Sequence, residues 1–124
     1  MPILTIQMPT GYSKQQKSSL LMGVTQAVVD SIEAPLSSIR ANLLEIAPEN
    51  TVVAGELAQP MTLIRVALII GRDESQKAAL MAALSMSVEQ TLGISTQHTR
   101  ILLEDFEKTD LCVAGGISAK ASGR

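Results

Sequence analysis

The feature that most constrains the fold of this chain is a repeat. Laid on itself at a constant offset of sixty residues, the sequence matches Gly11 with Gly71, Gln16 with Gln76, Lys17 with Lys77, Leu20 with Leu80 and Val28 with Val88. Further on it matches Arg40 with Arg100, Leu43 with Leu103, and Val53-Ala54-Gly55 with Val113-Ala114-Gly115. Identities that hold one offset over such a span mark a tandem duplication, so both halves must fold alike.

The local signals within each half agree. Ile3 to Met8 predicts a strand, ended by Pro9, which cannot donate to a ladder, and by Thr10 and Gly11. Ser13 offers an N-cap hydroxyl and Gln16 completes a capping box. Leu20, Val24, Ala27, Val28 and Ile32 then recur at helical spacing, and Glu33-Ala34-Pro35 stops the helix, because the residue before proline is pushed out of the α region. Ile39 to Ile46 predicts a second strand. In the second half, Leu63 to Ile70 predicts a strand, Gly71 a turn, and Asp73 with Gln76 a second cap. Leu80, Leu84, Val88 and Leu92 form the helix stripe, Gly93 its stop, and Ile101 to Phe106 the matching strand.

Each half therefore reads as a βαβ unit, whose crossover helix requires parallel strands and right-handed winding. The expected fold is α/β: a tandem βαβ repeat giving a four-stranded sheet with two helices on one face. The other face lacks cover within the chain, which predicts an oligomer. The 124 residues make one compact domain, with a first unit over 2–56, a linker over 57–61, a second unit over 62–116 and a small, polar tail over 117–124 that is expected to fray.

Composition narrows the function classes. Aromatic residues make up only 2%, namely Tyr12 and Phe106, so the core is aliphatic. A net charge of -2 without a basic stripe argues against a nucleic-acid partner. Apolar runs such as Val66 to Ile70 are too short to span a bilayer, so no membrane partner and a cytoplasmic location are expected. Cys112 is the single cysteine and His98 the single histidine, which leaves no disulfide, no Cys/His dyad and no zinc spacing. Both are read as structural, and neither a metal nor another cofactor is expected.

One residue carries a chemical signal. An initiator Met before Pro is normally removed, which would leave Pro2 as a free secondary amine at the start of a strand. An α-amino group ordinarily titrates at about 7.7 to 8.0, so modest local fields can hold it neutral and basic at physiological pH.

A unit of about sixty residues starting at Met-Pro, with Gly at the first turn, Ala34-Pro35-Leu36-Ser37-Ser38-Ile39-Arg40 before the second strand and Gly55-Glu56 after it, resembles the tautomerase superfamily. The likeness is to 4-oxalocrotonate tautomerase-like units, over Pro2 to Glu56 and again over Thr62 to Gly116, with Gly71-Arg72-Asp73-Glu74-Ser75-Gln76-Lys77 as a further match. The resemblance implies a fused, duplicated isomerase that tautomerises small 2-hydroxydienoate or 2-keto acids and assembles as a homotrimer, a pseudo-hexamer. It implies Pro2 as the catalytic base and Arg72 as the carboxylate-binding turn arginine. Arg40, Arg100 or both would face the carbonyl oxygen. Tyr12 stands where the first half would carry a turn arginine, and Thr62, locked behind Met61, stands where the second half would carry the base. Neither half holds a full set, so one site per chain is expected, with Pro2, Arg40 and Arg72 catalytic and Arg72, Arg100 and Tyr12 binding substrate.

The residue types suit that chemistry. A guanidinium offers a planar, permanently charged fork to a carboxylate. Positive charge and an apolar surround both disfavour protonated proline, and a second arginine stabilises the developing dienolate. Ser37 and Ser38 stand where the family's decarboxylase carries an acid, which argues against decarboxylation. Thr51 and Leu111 replace a pocket aromatic. Two alternatives remain: a dehalogenase or hydratase in which Glu56 activates water, and a non-enzymatic scaffold if Met1 is retained. For the arginines, the plain alternative is pairing with Glu45, Asp73 or Glu104; Arg65 is expected to be surface.

Overall fold

The computed structural model describes residues 2–124. In chain order the elements are β1 (Ile3–Pro9), α1 (Lys14–Ile32), β2 (Arg40–Ile46), the short β3 (Val52–Val53) and β4 (Glu56–Leu57), β5 (Thr62–Ile69), α2 (Glu74–Leu92), β6 (Thr99–Phe106), and the short β7 (Cys112–Ala114) and β8 (Ile117–Ser118). Both helices begin with the expected capping box. Ser13 Oγ accepts the Gln16 N–H at 3.1 Å while Gln16 Oε1 accepts the Ser13 N–H at 3.0 Å, and Asp73 and Gln76 repeat the exchange at 2.8 and 3.1 Å. The helices end at equivalent positions of the repeat, in the left-handed region, on Glu33 (φ 54) and Gly93 (φ 71).

The sheet order is β2-β1-β5-β6. β1 runs parallel to β2 and β5 parallel to β6, as a helical crossover demands, whereas β1 and β5 are antiparallel. Thr5 pairs with Arg65, its own counterpart in the repeat. A pseudo-twofold axis therefore passes through that pair, and every feature of one half recurs at the opposite end of the sheet.

Strand alternation divides the sheet into two faces. Leu4, Ile6 and Met8 of β1 and Ile64, Val66 and Leu68 of β5 lie under the helices, packed with Leu20, Val24, Val28, Leu80, Leu84 and Val88 into one aliphatic core. The other face carries three cross-strand rows: Arg40-Ile3-Ala67-Glu104, Asn42-Thr5-Arg65-Leu102 and Leu44-Gln7-Leu63-Arg100. No element among the described residues covers it, and Leu44 and Leu102 remain 47% and 45% exposed. Arg65, at its centre, is exposed as expected.

The chain differs from expectation beyond the two βαβ units. β3 pairs with β4 and β7 with β8 as miniature hairpins, so Leu57 belongs to a strand rather than to a linker. The segment expected to fray is folded back instead. Ala119 is fully buried, its N–H donates to the Leu111 carbonyl at 2.7 Å, and the Lys120 and Arg124 N–H groups donate to the carbonyls of Lys108 (3.0 Å) and Ala119 (2.9 Å). Small residues allow this compact turn to close. No helix among the described residues is long and apolar enough to cross a membrane.

Candidate active site

The antiparallel pairing of β1 with β5 decides which side chains meet. Ile3 lies opposite Ala67, so one step further along the ladder brings Pro2 to Leu68, near the end of β5. Arg72 follows three residues after Ile69, and its Nη1 donates back to the Ile69 carbonyl at 3.2 Å, which holds the half-buried guanidinium at that end of the sheet. On the other flank, β2 starts beside β1, and the Arg40 N–H donates to the Pro2 carbonyl at 3.2 Å. Pro2, Arg72 and Arg40 thus lie at one end of one chain, drawn from both halves. Pro2 is buried. Met1, whose removal the amine chemistry requires, lies outside the described residues.

Arg100 and Tyr12 are at the opposite end. Arg100 pairs with Leu63, four residues along β5 from Ala67, or about 13 Å at strand rise. Tyr12 is half-buried just past the end of β1, and Thr62 is fully buried with no hydrogen-bond partner for its Oγ1 among the described residues. In its own chain Arg100 lies too far from Pro2 to share a site with it.

No arginine among the described residues pairs with a carboxylate. Among the described residues the ion pairs are Lys17–Glu45 at 3.2 Å and Lys77–Asp105 at 2.6 Å, equivalent in the repeat, each tying a helix start to a strand end. Arg40 Nη1 instead donates to the carbonyls of Ser37 (2.8 Å) and Ile39 (3.0 Å), and Arg100 Nη1 to that of Gln97 (2.8 Å). Each keeps further N–H donors for an anion, which the pairing with Glu45, Asp73 or Glu104 would have taken. Glu56 lies in β4 and lines a cleft of about 280 Å³ with Val53 and His98, at the end away from Pro2.

Sequence reasoning passed over the residues around Met61. Val52 and Met61 line clefts at the Thr62 end, between the first hairpin and the ends of the sheet strands. A two-residue ladder carries no periodicity; the repeat offset, which aligns Thr51 with Leu111, was the one signal available.

Comparison with known proteins gives the family and the fold. The family model described as tautomerase enzyme matches twice, over residues 2–59 and 63–121. A 2-hydroxymuconate tautomerase of Pseudomonas putida is 40% identical over 58 residues, 47% of this chain and 92% of that protein. Another from Stutzerimonas stutzeri is 36% identical over 59 residues, 48% of this chain and 94% of that protein. Among solved structures, a fused 4-OT described as a wild-type symmetric trimer superposes with a TM-score of 0.96 at 43% identity, over 98% of this chain and 99% of that one. A protein solved after inactivation by 2-oxo-3-pentynoate gives 0.95 at 43% identity, with the same coverage. With the family matched once in each half, the chain belongs to the tautomerase enzyme family, as a fused duplication of its βαβ unit.

Proposed function

We propose that the protein is an isomerase that interconverts the enol and keto forms of small 2-hydroxydienoate or 2-keto acids, with Pro2 as general base. The observation that carries this reading is the antiparallel register of β1 and β5, which brings Pro2 of the first unit to Arg72 of the second. Arg72 would hold the substrate carboxylate by its guanidinium fork. Neutral Pro2 would take the proton from the enol hydroxyl and return it to a carbon of the conjugated chain, so that the proton count is unchanged across the cycle. An arginine facing the carbonyl oxygen would stabilise the charge that develops there. Arg40 of the same chain or Arg100 of a neighbouring copy can fill that role, since each opens a later strand with donors to spare.

The working unit is a homotrimer. The uncovered sheet face and the outer edges of β2 and β6 call for other copies, and fused relatives of the same fold are trimers. Within one chain Glu56 lies at the end away from Pro2, so a dehalogenase or hydratase reading through Glu56 would, like a role for Arg100, need a neighbouring copy.

The decisive test is Pro2→Ala, assayed by ultraviolet absorbance for ketonisation of a dienol pyruvate, with intact mass establishing that Met1 is absent from the parent protein. The variant should lose turnover and keep its oligomeric state. Retained turnover would overturn the assignment of the base, and a retained Met1 would favour the non-enzymatic scaffold.

A further inference from the structure

The pseudo-twofold axis through Thr5 and Arg65 gives the Pro2 site an image at the other end of the sheet. The image has lost its base. Thr62 stands in place of Pro2, joined through its nitrogen to Met61 and therefore an amide without basicity. It has not lost its cavity. A cleft of about 300 Å³ lies there, lined by Met8, Pro9, Ile46, Thr51, Val52 and Met61 together with the polar residues Gln7 and Asn50. That volume is at the lower end of the range for ligand pockets, and an apolar wall with a few polar groups is their usual character. A second cleft of about 120 Å³ shares Val52 and Met61 with it and is bordered by Arg100 and His98.

The charge pattern states what such a cleft would hold. Arg100 has no carboxylate partner among the described residues, and a guanidinium beside an apolar wall recognises an acid with an apolar body. The symmetry supplies an arginine whichever way the copies assemble. If Arg40 serves Pro2 within the chain, Arg100 serves the second end; if a neighbour's Arg100 reaches Pro2, a neighbour's Arg40 reaches the second end. The lining also departs from its counterpart in a telling way. Asn50 occupies the repeat position of Asp110, and Thr51 and Ile46 those of Leu111 and Phe106. At this end the wall has no negative charge at position 50 and smaller side chains, both of which favour entry of an anion.

We infer that the Thr62 end is a second, non-catalytic site that binds a small carboxylate with an apolar body and does not turn it over. Duplication doubled the site; at the second end Thr62 replaces the base and Tyr12 the turn arginine, so an arginine at the start of a later strand, Arg100 in this chain, is the cation left there to hold an acid. The inference rests on the tautomerase reading only for the origin of the cleft, not for its binding.

Benzoate is a suitable probe because it has no enolisable position. The full-length Pro2→Ala protein with 13C-methyl methionine reports the cleft directly, since Met8 and Met61 line it. On titration, the Met61 and Met8 methyl signals should shift together and saturate. Asn50→Asp restores the charge that the other half carries at Asp110 and barely changes size; it should weaken that response at least tenfold. Thr51→Trp, which fills the cleft, should abolish it. Methionine signals that stay still, or move without saturating, would overturn the inference, as would an Asn50→Asp protein with undiminished affinity. None of these readouts depends on turnover. An active Pro2→Ala protein would defeat the catalytic reading alone, and silent methionines would defeat the second site alone.

Discussion

The N–H of Arg40 donates to the carbonyl of Pro2 at 3.2 Å, so the candidate base and an arginine of its site are tied through the main chain. The tie survives any change of the arginine side chain. Substitution of these arginines should therefore separate chemistry from folding.

Arg72 gives the clearest case. Its guanidinium forms no ion pair among the described residues and makes one hydrogen bond, to the Ile69 carbonyl. Arg72→Ala should leave the thermal midpoint nearly unchanged. It should lower kcat/KM for a dienol acid by about 10- to 100-fold, the range for loss of a hydrogen bond to a charged partner worth about 1.5–3 kcal/mol. Steady-state kinetics beside a melting curve decides it; an equal loss of stability would make Arg72 structural.

The open sheet face predicts how the assembly breaks. Leu44 and Leu102 stand on it, 47% and 45% exposed in the single chain. Replacing both with lysine sets charges against a surface that another copy must cover. Sedimentation at micromolar concentration should show the trimer giving way to smaller species, with far-ultraviolet dichroism preserved. An intact trimer would place the interface elsewhere.

Glu33 caps α1 in the left-handed region at φ 54, where the second half uses Gly93. A Cβ in that conformation costs about 1–2 kcal/mol, partly offset because glycine loosens the unfolded chain. Glu33→Gly should therefore stabilise the protein by up to about 1 kcal/mol. Denaturant unfolding measures it, and destabilisation would show that the Glu33 side chain makes a compensating interaction.

Thr62 is fully buried and its hydroxyl has no hydrogen-bond partner among the described residues. Valine has the same shape without the unsatisfied group, so Thr62→Val should gain about 1 kcal/mol or more. A fall in the melting temperature would mean that the hydroxyl finds a partner in the assembled protein.

What the sequence by itself determined is whatever depends on neighbours along the chain. The sixty-residue offset, the Ser13–Gln16 and Asp73–Gln76 caps, the helix stripes through Leu20 and Leu80 and the parallel pairing within each unit all follow from local periodicity and short crossovers. The candidate groups Pro2, Arg40, Arg72 and Arg100 could also be named from the repeat and the family likeness. The likeness also grouped Pro2 with Arg72 and Arg40, but it did not supply the geometry behind that grouping. That depended on β1 pairing with β5 in antiparallel sense, a contact between halves that local signals do not encode, and it placed Arg72 beside Pro2 and Arg100 at the far end. The hairpins were silent for another reason: ladders as short as Val52–Val53 with Glu56–Leu57 have no period to detect. The C-terminal residues, polar and small enough to predict fraying, were ordered by backbone hydrogen bonds to Lys108 and Leu111, partners that only the folded chain brings within reach.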